Sequence, residues 1–195
     1  MEQWELKGGV LEFDEDTHTY IYDGVILPSV TQLLKKQFPD KYAGVTDAVL
    51  KRAAERGTRA HKAIEIYCAQ GDDDGSTEVR NYRFLEKNYG FKAISNEVPI
   101  VIFDSDNNPL CAGRLDMILT LESGEIAIAD IKTTATLDKN YLAYQLNLYR
   151  LGAYQCYKID AERLYGLHIR EDKRKFVEIP VNDLIVLDIL ENVRG

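Results

Sequence analysis

Residues 113–134 read GRLDMILTLESGEIAIADIKTT, and the fold turns on how this stretch pairs with itself. Two runs of apolar and β-branched residues flank the turn sequence ESGE, so the spacing predicts an antiparallel hairpin. With Ser123 at the centre of the turn, Asp116 stands seven residues before it and Asp130 seven after. Directly opposed residues in such a pair have Cβ atoms about 5 Å apart. Side chains alternate along a strand, so Asp130 and Lys132 share one face while Ala129 and Ile131 take the other. One face of a sheet thereby collects two acids and an amine.

Two carboxylates that close repel each other unless one takes a proton or a cation lies between them, and a hard ion such as Mg²⁺ accepts oxygen ligands at about 2.0–2.1 Å. The same residues also suit an ordinary surface hairpin with an Asp–Lys salt bridge, which contributes little. Against that, Asp130 follows Ile126, Ala127, Ile128 and Ala129, a run expected of a central strand buried on both faces, where an unpartnered charge is costly. The hairpin alone leaves both readings open.

Working outward, strands are predicted over 94–103, 110–121 and 125–132, the first two separated by DSDNNP. That loop begins like an EF-hand but has Pro109 where the glycine should be, so it is read as a hairpin turn. Upstream, 76–88 is a helix with Ser76 as N-cap and Gly90 as its left-handed stop. Residues 46–70 are helical in pattern but interrupted at Gly57-Thr58, where Thr58 can cap a new helix, so two helices are expected to meet there. Residues 10–27 alternate apolar and polar around Asp and Gly, as a small β-meander does, and Pro28-Ser29 opens a short helix ending near Phe38-Pro39.

Downstream, a helix from about 138 to 157 spreads apolar and aromatic residues over much of its circumference and should be buried on more than one side. A hairpin, 162–170 and 174–179, precedes an amphipathic helix from Asn182. The order α-β-β-β-α-β predicts an α/β (α+β) fold with a mixed central sheet between helices. No stretch resembles a linker, so 1–195 is expected to be a single domain, with a meander-and-helix appendage at 1–45, a core at 46–180 and a C-terminal helix at 181–195.

Composition sets the class. The chain has 24 Lys+Arg against 32 Asp+Glu, a net charge of −8, with 45% apolar residues; this is an ordinary globular balance and excludes collagen-like, coiled-coil and disordered chains. No apolar stretch approaches the roughly 20 residues that cross a bilayer, and the opening MEQWELKGGV is acidic and polar, so no membrane partner and a cytoplasmic location are expected. Cys68, Cys111 and Cys156 are far apart and form no CxxC pair, which suits small buried hydrophobes. His18 and His168 lack partners at ligand spacing and read as ordinary imidazoles. An acidic total argues against a surface coated with nucleic-acid contacts. Locally, however, residues 51–62, KRAAERGTRAHK, carry five basic side chains against Glu55, a balance of +4. That strip is either a solvated helix face or a phosphate contact.

The order GRLD, DIK, QLNLY resembles the motifs of the PD-(D/E)XK nuclease superfamily, and within it the RecB-like exonucleases, whose pattern is G-x-x-D, D-x-K and Q-x-x-x-Y. Here these are Gly113 to Asp116, Asp130 to Lys132, and Gln145 to Tyr149. The upstream G-x-x-x-H motif is matched by Gly57 to His61, with Glu65 one helical turn later. Together the matches span residues 57–149 in the family's order. A softer similarity links FDEDTHTYIYDGVILPSVT to phage-encoded members.

The resemblance implies a restriction-endonuclease-like αβββαβ core and metal-dependent phosphodiester hydrolysis. It implies that Asp116, Asp130 and the carbonyl of Ile131 bind Mg²⁺ or Mn²⁺, with His61 completing the set and Glu65 available to a second ion; a nitrogen ligand tilts the site toward Mn²⁺. Lys132 would hold and polarise the attacking water, with Gln145 and Tyr149, four apart on one helix face, positioning it. Glu97 resembles an acid that some members carry near the metals. Arg56, Arg59 and Lys62 would then face a phosphate backbone, and Thr133 and Thr134 could donate hydroxyls to it. The family's iron–sulfur branch requires four cysteines, so no cluster is expected. There is no P-loop, so ATP-driven translocation would fall to another protein. The expected partner is DNA, single- or double-stranded and engaged at an end, together with a recombination or replication protein. A structure-specific or restriction-like endonuclease and an inactive DNA-binding module of the same fold are the alternatives.

Overall fold

The computed structural model describes residues 1–194 and is an α+β architecture of two sheets and five helices. Gly195, the last residue assigned to the C-terminal helix unit, lies outside the described residues. The first sheet is an antiparallel meander of β1 (Glu2–Leu6), β2 (Gly9–Asp14), β3 (Thr19–Tyr22) and β4 (Val25–Leu27). It starts earlier than the meander expected from residue 10. Lys7-Gly8 is a two-residue turn with φ of 50° and 84°, the conformation whose twist matches antiparallel strands, and it folds Trp4 and Leu6 back onto β2. Leu6, Leu11, Phe13, Tyr20, Tyr22 and Leu27 form the inner face, packed on Val101, Phe103 and Ala112 of the second sheet.

Helix α1 (Val30–Gln37) begins with a reciprocal cap: Ser29 Oγ accepts the Gln32 N–H at 3.1 Å, and Gln32 Oε1 accepts the Ser29 N–H at 2.8 Å. Helix α2 (Asp47–Gln70) runs unbroken for 24 residues, which corrects the expected break at Gly57-Thr58. A glycine inside a helix costs only about 1 kcal/mol relative to alanine, and burial of Ala60 and Ile64 on the sheet offsets it. Helix α3 (Thr77–Tyr89) has the predicted ends: Ser76 Oγ accepts the Val79 N–H at 3.2 Å, and Gly90 closes it at φ 60°.

The second sheet has the order β5 (Phe91–Phe103), β6 (Pro109–Leu121), β7 (Ile126–Lys132), β8 (Arg163–Arg170) and β9 (Lys173–Ile179). Neighbours are antiparallel except β7 and β8, which run parallel because helix α4 (Lys139–Tyr157) carries the chain across between them. Helix α5 (Asp183–Arg194) follows β9. One face of this sheet packs on α2 and α3 through Ile64, Tyr82, Leu85, Ala127, Ala129 and Ile131. The other packs on α1, α4 and α5 through Leu34, Ile128, Leu146 and Ile189. The middle strand, β7, is thus covered on both sides. Among the described residues no helix is long and apolar enough to cross a membrane. Of the cysteines only Cys111 is fully buried; Cys68 and Cys156 are half-buried.

Candidate metal and catalytic site

The β6–β7 ladder pairs Ile118 with Ile128 and Met117 with Ala129, and the next step along it opposes Asp116 to Asp130, the register that the Ser123-centred turn predicts. Ladder pairing stops there. Asp116 Oδ2 instead accepts the Ile131 N–H at 2.7 Å. Along β6, Cys111 and Leu115 pack on the α4 side, but Met117 and Leu119 pack on the α2–α3 side, so the strand changes face at Asp116. Opposite it in β5, between the pairs Asn96↔Met117 and Val98↔Leu115, Glu97 has φ 50°. A left-handed residue in a strand kinks it and re-aims its side chain. Here the re-aimed carboxylate meets His61.

His61, from the middle of α2, donates Nε2–H to the Ile131 carbonyl at 3.0 Å. That bond fixes the tautomer, leaving Nδ1 facing Asp116 Oδ1 at 3.6 Å and Glu97 Oε1 at 3.8 Å. One ligand atom from each of His61, Glu97 and Asp116 lies within 4.8 Å of the other two, a nitrogen and two oxygens converging on one space. Burial lowers the affinity of His61 for a proton, yet the Asp116 charge and the Glu97 contact outweigh it and push its pKa up to about 9.

Asp130 is 1% exposed, and neither of its oxygens accepts a hydrogen bond. Lys132 Nζ touches Oδ2 at 2.5 Å as an ion pair of poor hydrogen-bond angle. Burial, then the Asp116 charge, holds Asp130 well above the usual carboxylate range in spite of that ammonium. Burial likewise raises Asp116, against the pull of His61 and Lys132. Lys132 Nζ donates to Gln145 Oε1 at 3.0 Å, and Gln145 Nε2 donates to Tyr149 Oη at 3.3 Å. Burial opposes the charge on Lys132, but the two carboxylates outweigh it and its pKa is raised. A Cβ on Gly113 would come within 3.2 Å of both Tyr149 Cε1 and Val30 Cγ2. The glycine of GRLD is therefore where the Tyr149 ring closes on β6.

Asp116, Asp130, Lys132, Gln145, Tyr149, His61 and the Ile131 carbonyl thus meet at one end of the sheet. Four expectations need correction. The Ile131 carbonyl, expected on a metal, instead accepts the His61 Nε2–H at 3.0 Å. Glu65 turns outward and pairs with Lys62 at 3.0 Å, outside the His61–Glu97–Asp116 group; the residue that stands there is Glu97, contributed by β5. Thr133 is buried at 8% exposure, with its Oγ1 3.8 Å from where a Cβ on Gly57 would sit, so it braces α2. Thr134 donates its hydroxyl to the Thr136 carbonyl at 2.7 Å, within its own loop. On α2, Arg59 and Lys62 are exposed and Arg56 is half-buried. His168 is buried, its Nε2–H on the Thr134 carbonyl at 2.7 Å.

Arg114, within GRLD, adjoins this group of residues and was not marked by the sequence. It pairs with Glu2 at 3.1 Å, approaches Glu97 Oε2 at 3.9 Å, and lies 5.2 and 5.1 Å from the Trp4 and Phe13 ring centroids. Its only sequence signal was its place beside the motif aspartate.

No protein-family model matches the chain, and no curated protein matches it. Among solved structures it is similar to that of SSO0001, with 17% identity and a TM-score of 0.48, covering 85% of this chain and 73% of that one.

Proposed function

We propose that this chain is a metal-dependent deoxyribonuclease of the PD-(D/E)XK superfamily, RecB-like in type, acting as a phage-encoded exonuclease in DNA recombination, repair or replication. The observation that carries the reading is Asp130: a carboxylate 1% exposed, with two oxygens that no hydrogen bond satisfies, one step from Asp116 and beside an ammonium. Buried polar atoms are nearly always partnered; Lys132 meets Oδ2, and Oδ1 is the atom left open to a cation. The order α3-β5-β6-β7-α4-β8, with β8 parallel to β7, supports a restriction-endonuclease-like core.

His61 Nδ1, Glu97, Asp116 and Asp130 would hold Mg²⁺ or Mn²⁺, the nitrogen favouring Mn²⁺. When bound, such an ion acidifies water and offsets charge on a phosphate. The chain's own residues supply the rest. Lys132 orients the attacking water by donating to it and stabilises charge developing on the phosphate. Gln145 fixes the Lys132 head, and Tyr149 fixes Gln145. Asp116, by taking the Ile131 N–H, fixes the backbone between the two motif residues of β7.

The test is digestion of end-labelled single-stranded, duplex and closed circular DNA with Mg²⁺ or Mn²⁺. Linear DNA is expected to be degraded and circles spared, with Asp130→Asn and Lys132→Met slower by at least about 10²-fold and folded by circular dichroism. Cut circles would select the endonuclease alternative. DNA bound but left whole by the native chain with both metals would select the inactive module.

A further inference from the structure

The end of the sheet that carries Lys132 also carries a second polar concavity. Lys132 lies beside His168 in β8, and His168 beside Lys175 in β9. Two strand spacings of about 4.8 Å set the β9 backbone about 10 Å from Lys132. The β8–β9 hairpin is tied to the loop after Lys132, because His168 donates to the Thr134 carbonyl and Lys173 to that of Ala135. Lys132 and His168 face α4, whereas Arg174 faces α3, so the cavity lies on the opposite side of the same end of the sheet.

One residue beyond Lys175, the Arg174 guanidinium lies 4.4 Å from the centroid of the Phe84 ring. Arg174 and Phe84, with Arg80, Arg83, Lys87 and Tyr67, line a cavity of about 700 Å³ between α2, α3 and β9. Its acids are engaged: Glu86 by Lys92 at 3.2 Å and Glu171 by Arg170 at 3.8 Å. Arg83 is held by Asp73. Among the described residues, Arg80, Lys87 and Arg174 form no ion pair, and Phe84 stands 42% exposed. Unpaired cations around an exposed ring match a nucleotide: the ring offers a face that any base can stack on, and the cations neutralise phosphates. An acidic peptide would use the cations and leave the ring idle.

We propose that this cavity is a second DNA-binding site, which takes an unpaired nucleotide of the bound strand outside the hydrolytic site. The proposal rests on the nuclease reading for the identity of the strand. It requires single-stranded DNA at this point, since a base within a duplex keeps its faces covered by its neighbours.

The test is fluorescence anisotropy with labelled (dT)16 and a duplex of equal length in EDTA, so that binding is read apart from cleavage. For Phe84→Ala, the single strand is expected to bind about fivefold or more weakly, the lower end of one stacked base, and the duplex unchanged. Arg80→Ala/Arg174→Ala is expected to lower the slope of log affinity against log salt by about 1.4, two phosphates at about 0.7 each. If that variant fails to fold, Lys87→Glu, at an exposed helix position, is expected to weaken (dT)16 binding in the same direction. Native affinity for (dT)16 in Phe84→Ala, or equal competition by poly-glutamate of matched charge, would overturn the proposal. Impaired binding by these variants in a chain that cuts nothing would leave the cavity in place and remove the hydrolysis.

Discussion

Lys132 is held at both ends of its reach, by Asp130 Oδ2 at 2.5 Å and by Gln145 Oε1 at 3.0 Å. Without Gln145 the ammonium has one anchor and swings toward Asp130. Gln145→Leu keeps the volume and removes the acceptor; DNA cleavage is expected to fall about 10–100-fold with melting temperature little changed. Tyr149→Phe, which removes only the outer 3.3 Å contact, should have the smaller effect in the same assay. His61 sets a pH dependence. Its pKa in the fold is about 9, above the ordinary 6.5, so the folded chain binds this proton more tightly than the unfolded chain. The stability from His61⁺ is full below about pH 6.5 and lost as pH rises through about 9. Asp130 and Asp116, also raised, push in the same direction at lower pH. Melting in EDTA should therefore become easier from pH 6 to 9, and Mn²⁺, which needs the deprotonated donors, should reverse the trend. A flat EDTA profile would contradict the geometry around Nδ1.

At the scale of elements, Gly57 is the informative position. In an unbroken α2 it lies in a helix interior, and a Cβ there would meet only Thr133 Oγ1 at 3.8 Å. Gly57→Ala is expected to stabilise by about 0.5–1 kcal/mol in urea unfolding; a break at this residue would make the same change destabilising. The sequence carried no means of choosing, because glycine followed by threonine serves a helix interior and a new N-cap alike. The β6–β7 register was legible, since a turn centred on Ser123 leaves one pairing for Asp116 and Asp130. That Gln145 and Tyr149 share a face was legible too, from the i, i+4 spacing on α4, while their meeting with Lys132 was implied only by the resemblance. Glu97 was not legible apart from the resemblance, because its place depends on φ 50° in the middle of a strand, and nothing in NEVPI announces a left-handed glutamate. Nor was Glu65: a helix residue one turn from His61 can point either way, and its pairing with Lys62 is decided by the surface.

Across the whole molecule, the N-terminal sheet is part of the site's scaffold. Arg114 stands against the Trp4 and Phe13 rings of that sheet and pairs with Glu2, with Glu97 within 3.9 Å. The first fourteen residues thus help decide where one acid of the candidate cage points. Arg114→Met preserves the stacking stem and removes the charge. Calorimetric Mn²⁺ titration should show affinity about tenfold weaker, the lower range for losing a partner of a ligand, while Asp130 and Lys132 stay in place. Unchanged affinity would detach the meander from the metal.

The strand bearing Asp130 and Lys132 is the middle one of five, paired with β8 along its length and with β6 as far as Ala129, and roofed by helices. Amide protons along Ala127–Ala129 are expected to exchange with solvent only when the assembly as a whole comes apart. Heat or denaturant therefore finds no frayed edge at which to begin dismantling the chemistry: activity would vanish in step with the last of the structure, and a preparation losing potency would be a mixture of intact and ruined molecules, never a population of dulled ones.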